Sequence, residues 1–287
     1  MKEIIRFEDV IKNYGNIKAL NKISFSVKAG KIFGIFGPNG AGKTTTIKIM
    51  LGIIKPDSGN IKIKTDNFSY LPEELSLDKN DKVITIINYI ARLKGIKNKN
   101  IKFEVNKWEN ILKIKALLYR KIRELSKGQK KKVMFLLALI GDPDVIILDE
   151  PFSGLDAESS ESLKNLVSEL KDEGKTILFS THILEIAENL CEDVLILKEG
   201  NVMEYGEINI LKEKYSKKGW IIKLKNKINT KHFHNLSFMV KDRYTLEVQD
   251  NVSLNKITNL INEKEIIYIK RIYPDFKELY FKSVGVK

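Results

Sequence analysis

The most informative residues in the sequence are Gly37-Pro38-Asn39-Gly40-Ala41-Gly42-Lys43-Thr44. They match the phosphate-loop pattern G-x-x-x-x-G-K-[ST], in which backbone N–H groups close around phosphate oxygens. The apolar run before them, Lys31–Phe36, predicts a buried strand, and Thr44–Leu51 predicts a helix that ends at Gly52. A strand, a glycine-rich loop and a helix N-terminus in this order predict a site for phosphate groups.

The side chains of this loop suit a bound nucleoside triphosphate. Glycines leave no Cβ in the way, so consecutive backbone N–H groups can approach phosphate oxygens closely. We expect the Lys43 ammonium to reach the β- and γ-phosphates and the Thr44 hydroxyl to ligate Mg²⁺. Thr45 is expected to add a contact to the α-phosphate. The loop therefore predicts ATP and Mg²⁺ as cofactors.

Two adjacent acids follow a second apolar run, Val145–Leu148, which predicts another buried strand. That strand would deliver Asp149 and Glu150 to the carboxyl edge of the sheet, where the ligand sites of α/β proteins lie. Buried charge is costly unless it has an oppositely charged partner or binds a metal, so two adjacent acids at this place indicate a functional site. We expect Asp149 to hold Mg²⁺, directly or through water, and Glu150 to accept a proton from the attacking water.

Strand and helix patterns alternate along the first three quarters of the chain. Strands are predicted at Ile4–Val10, Ile23–Val27, a pair within 60–71, Val145–Leu148 and Thr176–Phe179. Helical periodicity covers about 76–140, and a further helix is predicted near 158–173. Strands that feed helices and then return to strands imply a mostly parallel sheet, so the predicted fold class is α/β.

The composition changes after about Lys214, which predicts a second domain. Beyond this point the pattern predicts two strands, a helix and a further strand, at Trp220–Lys225, Tyr244–Val248, Leu254–Glu263 and Ile266–Ile269. We therefore expect a large domain at 1–215, with a helical subdomain at about 76–140. A small α+β domain at 216–287 is expected to follow it.

Bulk composition favours a chain that works in the cytoplasm. The 287 residues are 43% hydrophobic, enough for an ordinary core. The longest apolar run, Val133–Ile140, is far shorter than the roughly 20 residues of a membrane-spanning helix, and Met1–Arg6 shows no apolar signal-peptide core. The single cysteine, Cys191, can form neither an intrachain disulfide nor a cysteine-based zinc site, which fits a reducing compartment.

The charge of the chain is unevenly distributed. Of the net +13, +8 falls after residue 215, where 15 Lys/Arg oppose 7 Asp/Glu. A positive field of this kind could favour anionic lipid, nucleic acid or an acidic partner. The sequence is rich in Lys, Ile and Asn throughout, however, and most of its lysines are expected on a solvated surface. Charge alone therefore does not decide between these partners.

Further motifs give the sequence a resemblance to one family. The segment Leu125-Ser126-Lys127-Gly128-Gln129 resembles the signature of ATP-binding-cassette (ABC) ATPases, Leu-Ser-Gly-Gly-Gln. Ser153–Asp156 resembles the family's D-loop, and Ser180–His182 resembles its switch-histidine loop. Tyr14 stands where the family stacks an aromatic ring on adenine. Together with the phosphate loop and the acidic pair, these motifs cover roughly residues 1–215, in a variant that resembles bacterial export-type ATPases.

The resemblance implies both a fold and a function. The expected fold is a P-loop cassette with a mixed-sheet core, an antiparallel β-subdomain and a helical subdomain, followed by the small α+β appendage. The expected function is ATP binding and hydrolysis by a subunit of an ABC transporter. Two cassettes, either a homodimer or a pair with a related chain, would close head to tail on ATP and drive a separate transmembrane permease. Such a subunit would sit peripherally on the inner face of the cell membrane.

The resemblance also implies roles for single residues. Ser126 and Gln129 match an S-x-x-Q capping box, so with Gly128 they would open a helix that faces the γ-phosphate of the partner's ATP. Besides the catalytic acid Glu150, His182 would contact the γ-phosphate and the attacking water. The expected nucleotide contacts are Tyr14, Gly37, Pro38, Asn39, Gly40, Ala41, Gly42, Lys43, Thr44, Thr45, Ser126, Gly128 and Gln129.

Two positions depart from the family pattern. Glu73 occupies the place of the Q-loop glutamine, and because a carboxylate can still ligate Mg²⁺, we expect Thr44, Asp149 and Glu73 as metal ligands. Lys127 replaces the first glycine of the signature and would add positive charge beside an ATP phosphate. The span from Glu74 to Leu125 is short for the family, which predicts a compact helical subdomain.

Two functions remain open on the sequence alone. The first is the motor of an ABC transporter, with a permease helix received between the helical subdomain and the loop around Glu73. The second is a soluble ABC ATPase that acts on nucleic acid or ribosomes, which the basic C-terminal part would suit. Ribosome-associated members usually carry two cassettes and DNA-repair members a long coiled coil, whereas this sequence has one phosphate loop and no sustained heptad. We therefore prefer the transporter and expect no nucleic acid partner.

Overall fold

The computed structural model describes residues 2–74, 78–215, 219–228, 237–248, 254–259, 261, 265–272 and 275–285. The chain divides into two compact units, Met1–Glu207 and Ile208–Lys287. The sequence predicts a boundary after residue 215, and the helix Ile208–Tyr215 lies between these two positions. This helix packs on Phe276–Ser283, a helix of the second unit, and therefore belongs to that unit.

The strands of the first unit form two sheets. They are β1 (Glu3–Tyr14), β2 (Ile17–Lys28), β3 (Ile32–Phe36), β4 (Ser58–Ile63), β5 (Phe68–Leu71), β6 (Val145–Asp149), β7 (Thr176–Thr181), β8 (Asp193–Lys198) and β9 (Asn201–Glu207). One sheet is antiparallel, in the order β2-β1-β4. The other has the order β5-β6-β7-β3-β8-β9 and is parallel except for β9 at its edge. The predicted α/β class with a mixed-sheet core is confirmed.

Both sheets contribute to one hydrophobic core, which supports the strand that leads into the phosphate loop. Phe7 of β1 lies opposite Phe25 of β2, and their rings stack with centroids 4.5 Å apart. Phe25 in turn stacks on Phe33 of β3 at 5.7 Å. Ile47, from the helix after the phosphate loop, is buried in the same cluster. Every residue of β3 is buried, as expected for a strand covered on both faces.

The two strands predicted within 60–71 both form, but the prediction that they pair with each other is wrong. β4 pairs with β1, whereas β5 runs parallel to β6 in the other sheet. The reason lies in the connection between them. The Asn67 carbonyl accepts a hydrogen bond from Asp144 N at 2.9 Å, and Asn67 Nδ2 donates to Asp142 O at 3.2 Å. These bonds attach the connection to the start of β6, so it does not close a hairpin.

The helices of the first unit lie between these strands. They are α1 (Lys43–Met50), α2 (Val83–Leu93), α3 (Asn98–Glu109), α4 (Lys127–Leu139), α5 (Ala157–Asp172) and α6 (Leu184–Leu190), with short 3₁₀ turns at Lys115–Leu117 and Ile122–Glu124. α2 buries one face, formed by Val83, Ile86, Ile87 and Ala91, at the spacing of an amphipathic helix. α2, α3 and α4 pack on one another and form a helical layer, which contacts the large sheet where α4 packs on β5.

A lysine closes the end of α4. The Lys94 ammonium donates hydrogen bonds to the carbonyl oxygens of Leu137 at 2.8 Å, Ala138 at 3.1 Å and Ile140 at 2.8 Å. The last carbonyls of a helix have no partner within the helix and carry partial negative charge, so a cation stabilises them. This contact fixes the end of α4 that lies opposite the signature segment.

The second unit is a small α+β structure. Its elements are α7 (Ile208–Tyr215), β10 (Gly219–Leu224), β11 (Phe238–Val240), β12 (Thr245–Val248), α8 (Leu254–Thr258), β13 (Ile266–Ile272) and α9 (Phe276–Ser283). The strands form an antiparallel sheet of order β11-β12-β10-β13. Ile222, Leu246 and Ile257 are buried in its core. The predicted helix Leu254–Glu263 is described only as far as Thr258, and part of its remainder lies outside the described residues.

Among the described residues, no helix combines the length and the apolar character that crossing a bilayer requires.

Candidate active site

The phosphate loop lies between the end of β3 and the start of α1, at the carboxyl edge of the parallel sheet. Gly42, the residue before α1, has φ of 105°, and a Cβ there would lie 2.7 Å from the Ala19 carbonyl oxygen. A Cβ at Gly37 would collide with the Leu197 carbonyl oxygen. These two positions therefore require glycine, because neighbouring backbone approaches too closely for any side chain.

Lys43 connects the loop to the acids on the neighbouring strand. Its ammonium donates to the carbonyl oxygens of Gly37 at 2.8 Å and Pro38 at 3.3 Å, and it lies 3.9 Å from Glu150 Oε1. Burial lowers the pKa of Lys43, while the charges of Glu150, and then those of Asp149 and Glu73, act to raise it. The ammonium thus lies in the loop with negative charge nearby, where phosphate oxygens could take over its hydrogen bonds.

The acidic pair is held by the adjacent strand β7. Asp149 lies opposite Ser180 in the parallel register of β6 and β7, and the Ser180 hydroxyl donates to Asp149 Oδ1. The Glu150 amide donates to the carbonyl and hydroxyl oxygens of Ser180, each at 3.1 Å. Tyr70 donates to Asp149 Oδ2 at 3.5 Å, and its pKa is raised to about 12, chiefly by burial and then by the Asp149 charge.

Glu150 has the geometry of a proton acceptor. Its backbone has φ of 46°, uncommon for a residue other than glycine, and its side chain is buried. Oε1 lies 3.0 Å from His182 Nδ1, whereas Oε2 is buried with no hydrogen-bond partner within the described part of the chain. Buried carboxylate oxygens are normally hydrogen-bonded, so Oε2 retains an unused capacity to accept a proton or a hydrogen bond. The His182 side chain is 56% exposed, and it is not among the described residues that line the cavity over the loop.

A cavity of about 450 Å³ lies over the phosphate loop. Among the predicted site residues, those in its wall are Tyr14, Asn39, Gly40, Ala41, Gly42, Lys43, Thr44, Thr45, Glu73, Asp149 and Glu150. Tyr14 is 48% exposed, so a face of its ring is free to stack on a planar group. The structure therefore brings the phosphate loop, the predicted aromatic residue and the acids to one cavity.

Several residues of this site are not predicted by the sequence. Ile17, Lys18, Ala19 and Glu199 also line the cavity, and Ser180 and Tyr70 hold Asp149. Ser180 is part of the predicted switch-histidine loop, but the sequence does not predict its bond to Asp149. The others lie on segments that only the fold brings to the loop, so no local pattern indicates them.

The signature residues lie away from this cavity. Ser126 caps α4: its hydroxyl accepts from Gln129 N at 3.2 Å, and Gln129 Oε1 accepts from Ser126 N at 3.1 Å, which confirms the predicted capping box. A Cβ at Gly128 would lie 3.0 Å from Ser159 Oγ, so α4 starts close to the start of α5. Neither Ser126, Gly128 nor Gln129 is among the described residues that line the cavity.

The donors around the cavity suit Mg²⁺ bound together with phosphates. Among the described residues, no group of three or more His, Cys, Asp or Glu is arranged to hold a metal ion alone. Thr44, Glu73 and Asp149, whose side chains carry oxygen atoms, nevertheless line the same cavity. Mg²⁺ prefers oxygen ligands and is usually held by one or two carboxylates together with substrate phosphates. The residues present therefore fit a Mg²⁺–nucleotide complex and do not fit a dedicated all-protein metal cage.

Fold and site together define a P-loop nucleotide-binding protein. The sequence matches the protein family described as ABC transporter over residues 20–153. It is 47% identical over 208 residues to an uncharacterized ABC transporter ATP-binding protein of Methanocaldococcus jannaschii, a match that covers 72% of this chain and 79% of that protein. It is 34% identical over 220 residues to Nod factor export ATP-binding protein I of Burkholderia orbicola, a match that covers 73% of this chain and 72% of that protein.

A solved structure described as the ATP binding subunit of an ABC transporter is similar with a TM-score of 0.68 and 29% sequence identity, covering 74% of this chain and 93% of that one. The chain belongs to the family of ABC transporter ATP-binding proteins. It is accordingly an ATP-binding and ATP-hydrolysing subunit. Of the two functions considered from the sequence, the relatives support the transporter subunit and not the nucleic-acid or ribosome ATPase.

Proposed function

We propose that this chain hydrolyses Mg²⁺-bound ATP at the cavity over the phosphate loop and thereby drives a separate membrane permease. The observation that carries the proposal is the environment of Glu150. One of its oxygens lies 3.0 Å from His182 Nδ1, and the other is buried without a partner among the described residues. An attacking water molecule bonded to the Glu150 carboxylate would lose its proton to it as it attacks the γ-phosphate.

The proposed roles of the other residues follow their positions. Lys43 and the backbone N–H groups of the phosphate loop bind the β- and γ-phosphates, and Thr45 contacts the α-phosphate. The exposed ring of Tyr14 stacks on adenine. Through its bond to Glu150, His182 orients the carboxylate and senses the γ-phosphate. Mg²⁺, held by Thr44, Asp149 and Glu73 with phosphate oxygens, would neutralise charge that develops on the phosphates.

A second cassette completes the site in this proposal. Ser126, Gly128 and Gln129 open a capped helix whose N-terminus can stabilise a phosphate, yet they lie outside the cavity of their own chain. In a head-to-tail dimer these residues would face the partner's ATP. The partner is either a second copy of this chain or a related cassette.

The permease contact is proposed for a groove beside α4. This lysine-lined groove has a volume of about 550 Å³. Its walls are Glu73, Glu74, Lys79, Ile122, Lys127, Lys130, Lys131, Met134, Ser153 and Leu155. Because Glu73 also borders the nucleotide cavity, a permease helix in the groove would be coupled to the bound nucleotide. The subunit would then work on the inner face of the membrane, and the similarity to a protein named for Nod factor export favours export.

The division of labour along the chain is also part of the proposal. The ATP-binding cassette that the sequence predicts at 1–215, with its helical subdomain at about 76–140, would end at residue 207. The C-terminal α+β domain predicted at 216–287 would begin at residue 208, because α7 packs on α9. The support for this division is that every catalytic and nucleotide-binding residue proposed above precedes residue 208, where the second compact unit begins.

The test is Glu150→Gln, with Glu169→Gln as the control. The glutamine keeps the shape of the side chain but cannot accept the proton, so we expect ATP to bind normally and hydrolysis to fall by about 100-fold or more. Size-exclusion chromatography with Mg·ATP should then show an ATP-dependent dimer. Glu169 is an exposed acid on α5, and its replacement should leave both measurements unchanged. Normal turnover by the Glu150→Gln protein would contradict the proposal.

A further inference from the structure

We propose that Lys131 is a positioning residue that ties α4 to the Glu73 loop (Pro72–Glu74), so that the signature helix and Glu73 move as one body. The inference rests on the proposed function, because it assigns Glu73 to the Mg·ATP site. It goes beyond that function by naming the contact that transmits the position of the Glu73 loop to the capped start of α4.

The contact itself is a hydrogen bond between two distant parts of the chain. Lys131 Nζ donates to the carbonyl oxygen of Glu73 at 3.1 Å. Lys131 is only 6% exposed although it carries a charge. Within the part of the chain that the structure describes, the Glu73 carbonyl is the acceptor for this ammonium. A buried cation with one acceptor is costly to separate from it, so the bond holds the loop strongly.

The bond involves the backbone of Glu73 and leaves its side chain free. Glu73 is therefore anchored through its carbonyl while its carboxylate remains exposed. The same residue borders both the nucleotide cavity and the lysine-lined groove. A shift of the Glu73 loop would therefore change the wall of the nucleotide cavity and the wall of the groove together. Lys131 thus determines how far the Glu73 carboxylate extends toward the nucleotide.

On the other side of this hydrogen bond, Lys131 belongs to helix α4. α4 begins at Ser126, where the capping box fixes its first turn, and Lys131 follows slightly more than one turn later. The electrostatic setting agrees with a link to the site. Burial is the main cause that lowers the pKa of Lys131, and the Lys127 charge lowers it further, while Glu73, Asp149 and Glu150 act to raise it. The Lys131 ammonium therefore lies within the field of the catalytic acids.

Hydrogen exchange tests the tie without relying on activity. Lys131→Met keeps most of the unbranched side chain and removes the donor. The matched control is Lys130→Met, because Lys130 lines the same groove and carries the same charge, but no bond from it to the loop is described. We expect the amides at the end of β5, the paired strand that leads into the loop, to exchange about tenfold faster in Lys131→Met and at the wild-type rate in Lys130→Met. Equal exchange in Lys131→Met and wild type, or equal acceleration in both variants, would overturn the proposal.

Magnesium dependence tests the consequence for Glu73. In Lys131→Met we expect the Mg²⁺ concentration at half-maximal ATPase activity to rise several-fold, with less change in kcat at saturating Mg²⁺. In a Glu73→Ala background the Lys131→Met substitution should produce no further rise, because the side chain that it positions is gone. Lys131→Arg, which restores a donor, should recover much of the wild-type value. A Lys131→Met effect that is fully additive with Glu73→Ala would overturn the proposal.

The two proposals fail in different ways. If wild-type protein neither binds nor hydrolyses Mg·ATP, the proposed function is wrong, and the hydrogen-exchange comparison still decides whether Lys131 holds the loop. The other outcome is that the wild-type protein is active while Lys131→Met shows wild-type amide exchange and a wild-type Mg²⁺ dependence of ATPase activity. In that case the proposed function stands and the role of Lys131 is wrong.

Discussion

Ser180→Ala should reduce catalysis, although Ser180 is not among the predicted site residues. Ser180 is fully buried, and its hydroxyl bonds both Asp149 Oδ1 and the Glu150 amide. The substitution removes one oxygen atom and introduces no clash. The Glu150 amide keeps its bond to the Ser180 carbonyl at 3.1 Å, but Asp149 Oδ1 loses its donor. The expected defect is therefore in the placement of Asp149.

The size of this effect follows from the bond that is lost. A hydrogen bond to a charged group contributes about 1.5–3 kcal/mol. If all of it is lost in the transition state, kcat falls by about 10- to 100-fold, because each 1.4 kcal/mol corresponds to a factor of ten. Chemical denaturation should show a loss of similar size in the free energy of unfolding. Phosphate release at saturating Mg·ATP measures kcat, and a fluorescent ATP titration measures binding.

Thr176→Val provides the matched control for this prediction. Thr176 lies on the same strand, is 2% exposed, and its hydroxyl accepts a hydrogen bond from Gly30 N at 2.9 Å. It lies at the opposite end of β7 from Ser180. Thr176→Val should destabilise the fold by a comparable amount and leave kcat unchanged. The prediction is wrong if Ser180→Ala retains kcat within about twofold of the control while losing stability.

Three further substitutions test other parts of the site and the fold. Lys43→Ala removes the buried ammonium from the phosphate loop. A fluorescent ATP titration should therefore show the Kd for ATP raised by about 10- to 100-fold. Unchanged affinity would count against the phosphate-loop assignment. Tyr14→Ala should weaken ATP binding by about 1–3 kcal/mol, whereas Tyr14→Phe, which keeps the ring, should bind normally in the same titration. Lys94→Met leaves three carbonyls at the end of α4 without their cation. Urea unfolding should therefore show a free energy of unfolding lower by about 1–3 kcal/mol. Lys97→Met, on the nearby surface, should have little effect.

The sequence predicts those parts of the fold that depend on local patterns. The buried strand before the phosphate loop, the helix after it and the capped start of α4 are each encoded by residues within a few positions of one another. The apolar run before Asp149 likewise predicts a buried strand that ends in two acids, and β6 has this form. Local patterns are therefore sufficient to predict the class of the fold and the elements that carry the candidate site.

Other features depend on which strands become neighbours, and this the sequence does not show. The link between Ser180 and Asp149 exists only because β6 and β7 are adjacent and parallel. The strands within 60–71 separate into two sheets because Asn67 bonds to the start of β6, far along the chain. Lys131 reaches Glu73 across 58 positions of sequence. Long-range contacts of this kind result from the packing of the whole unit, so no short window of sequence encodes them.

The order of strands in the large sheet has a consequence for synthesis on the ribosome. β3, which leads into the phosphate loop, has β7 and β8 as its two neighbours, and both are translated much later than β3 itself. A nascent chain that ends before Thr176 has a complete phosphate-loop sequence but neither strand that flanks β3. Such non-local pairing is slow to form because long segments must be closed first. Nucleotide binding by the emerging polypeptide should therefore begin only after Lys198 has left the exit tunnel.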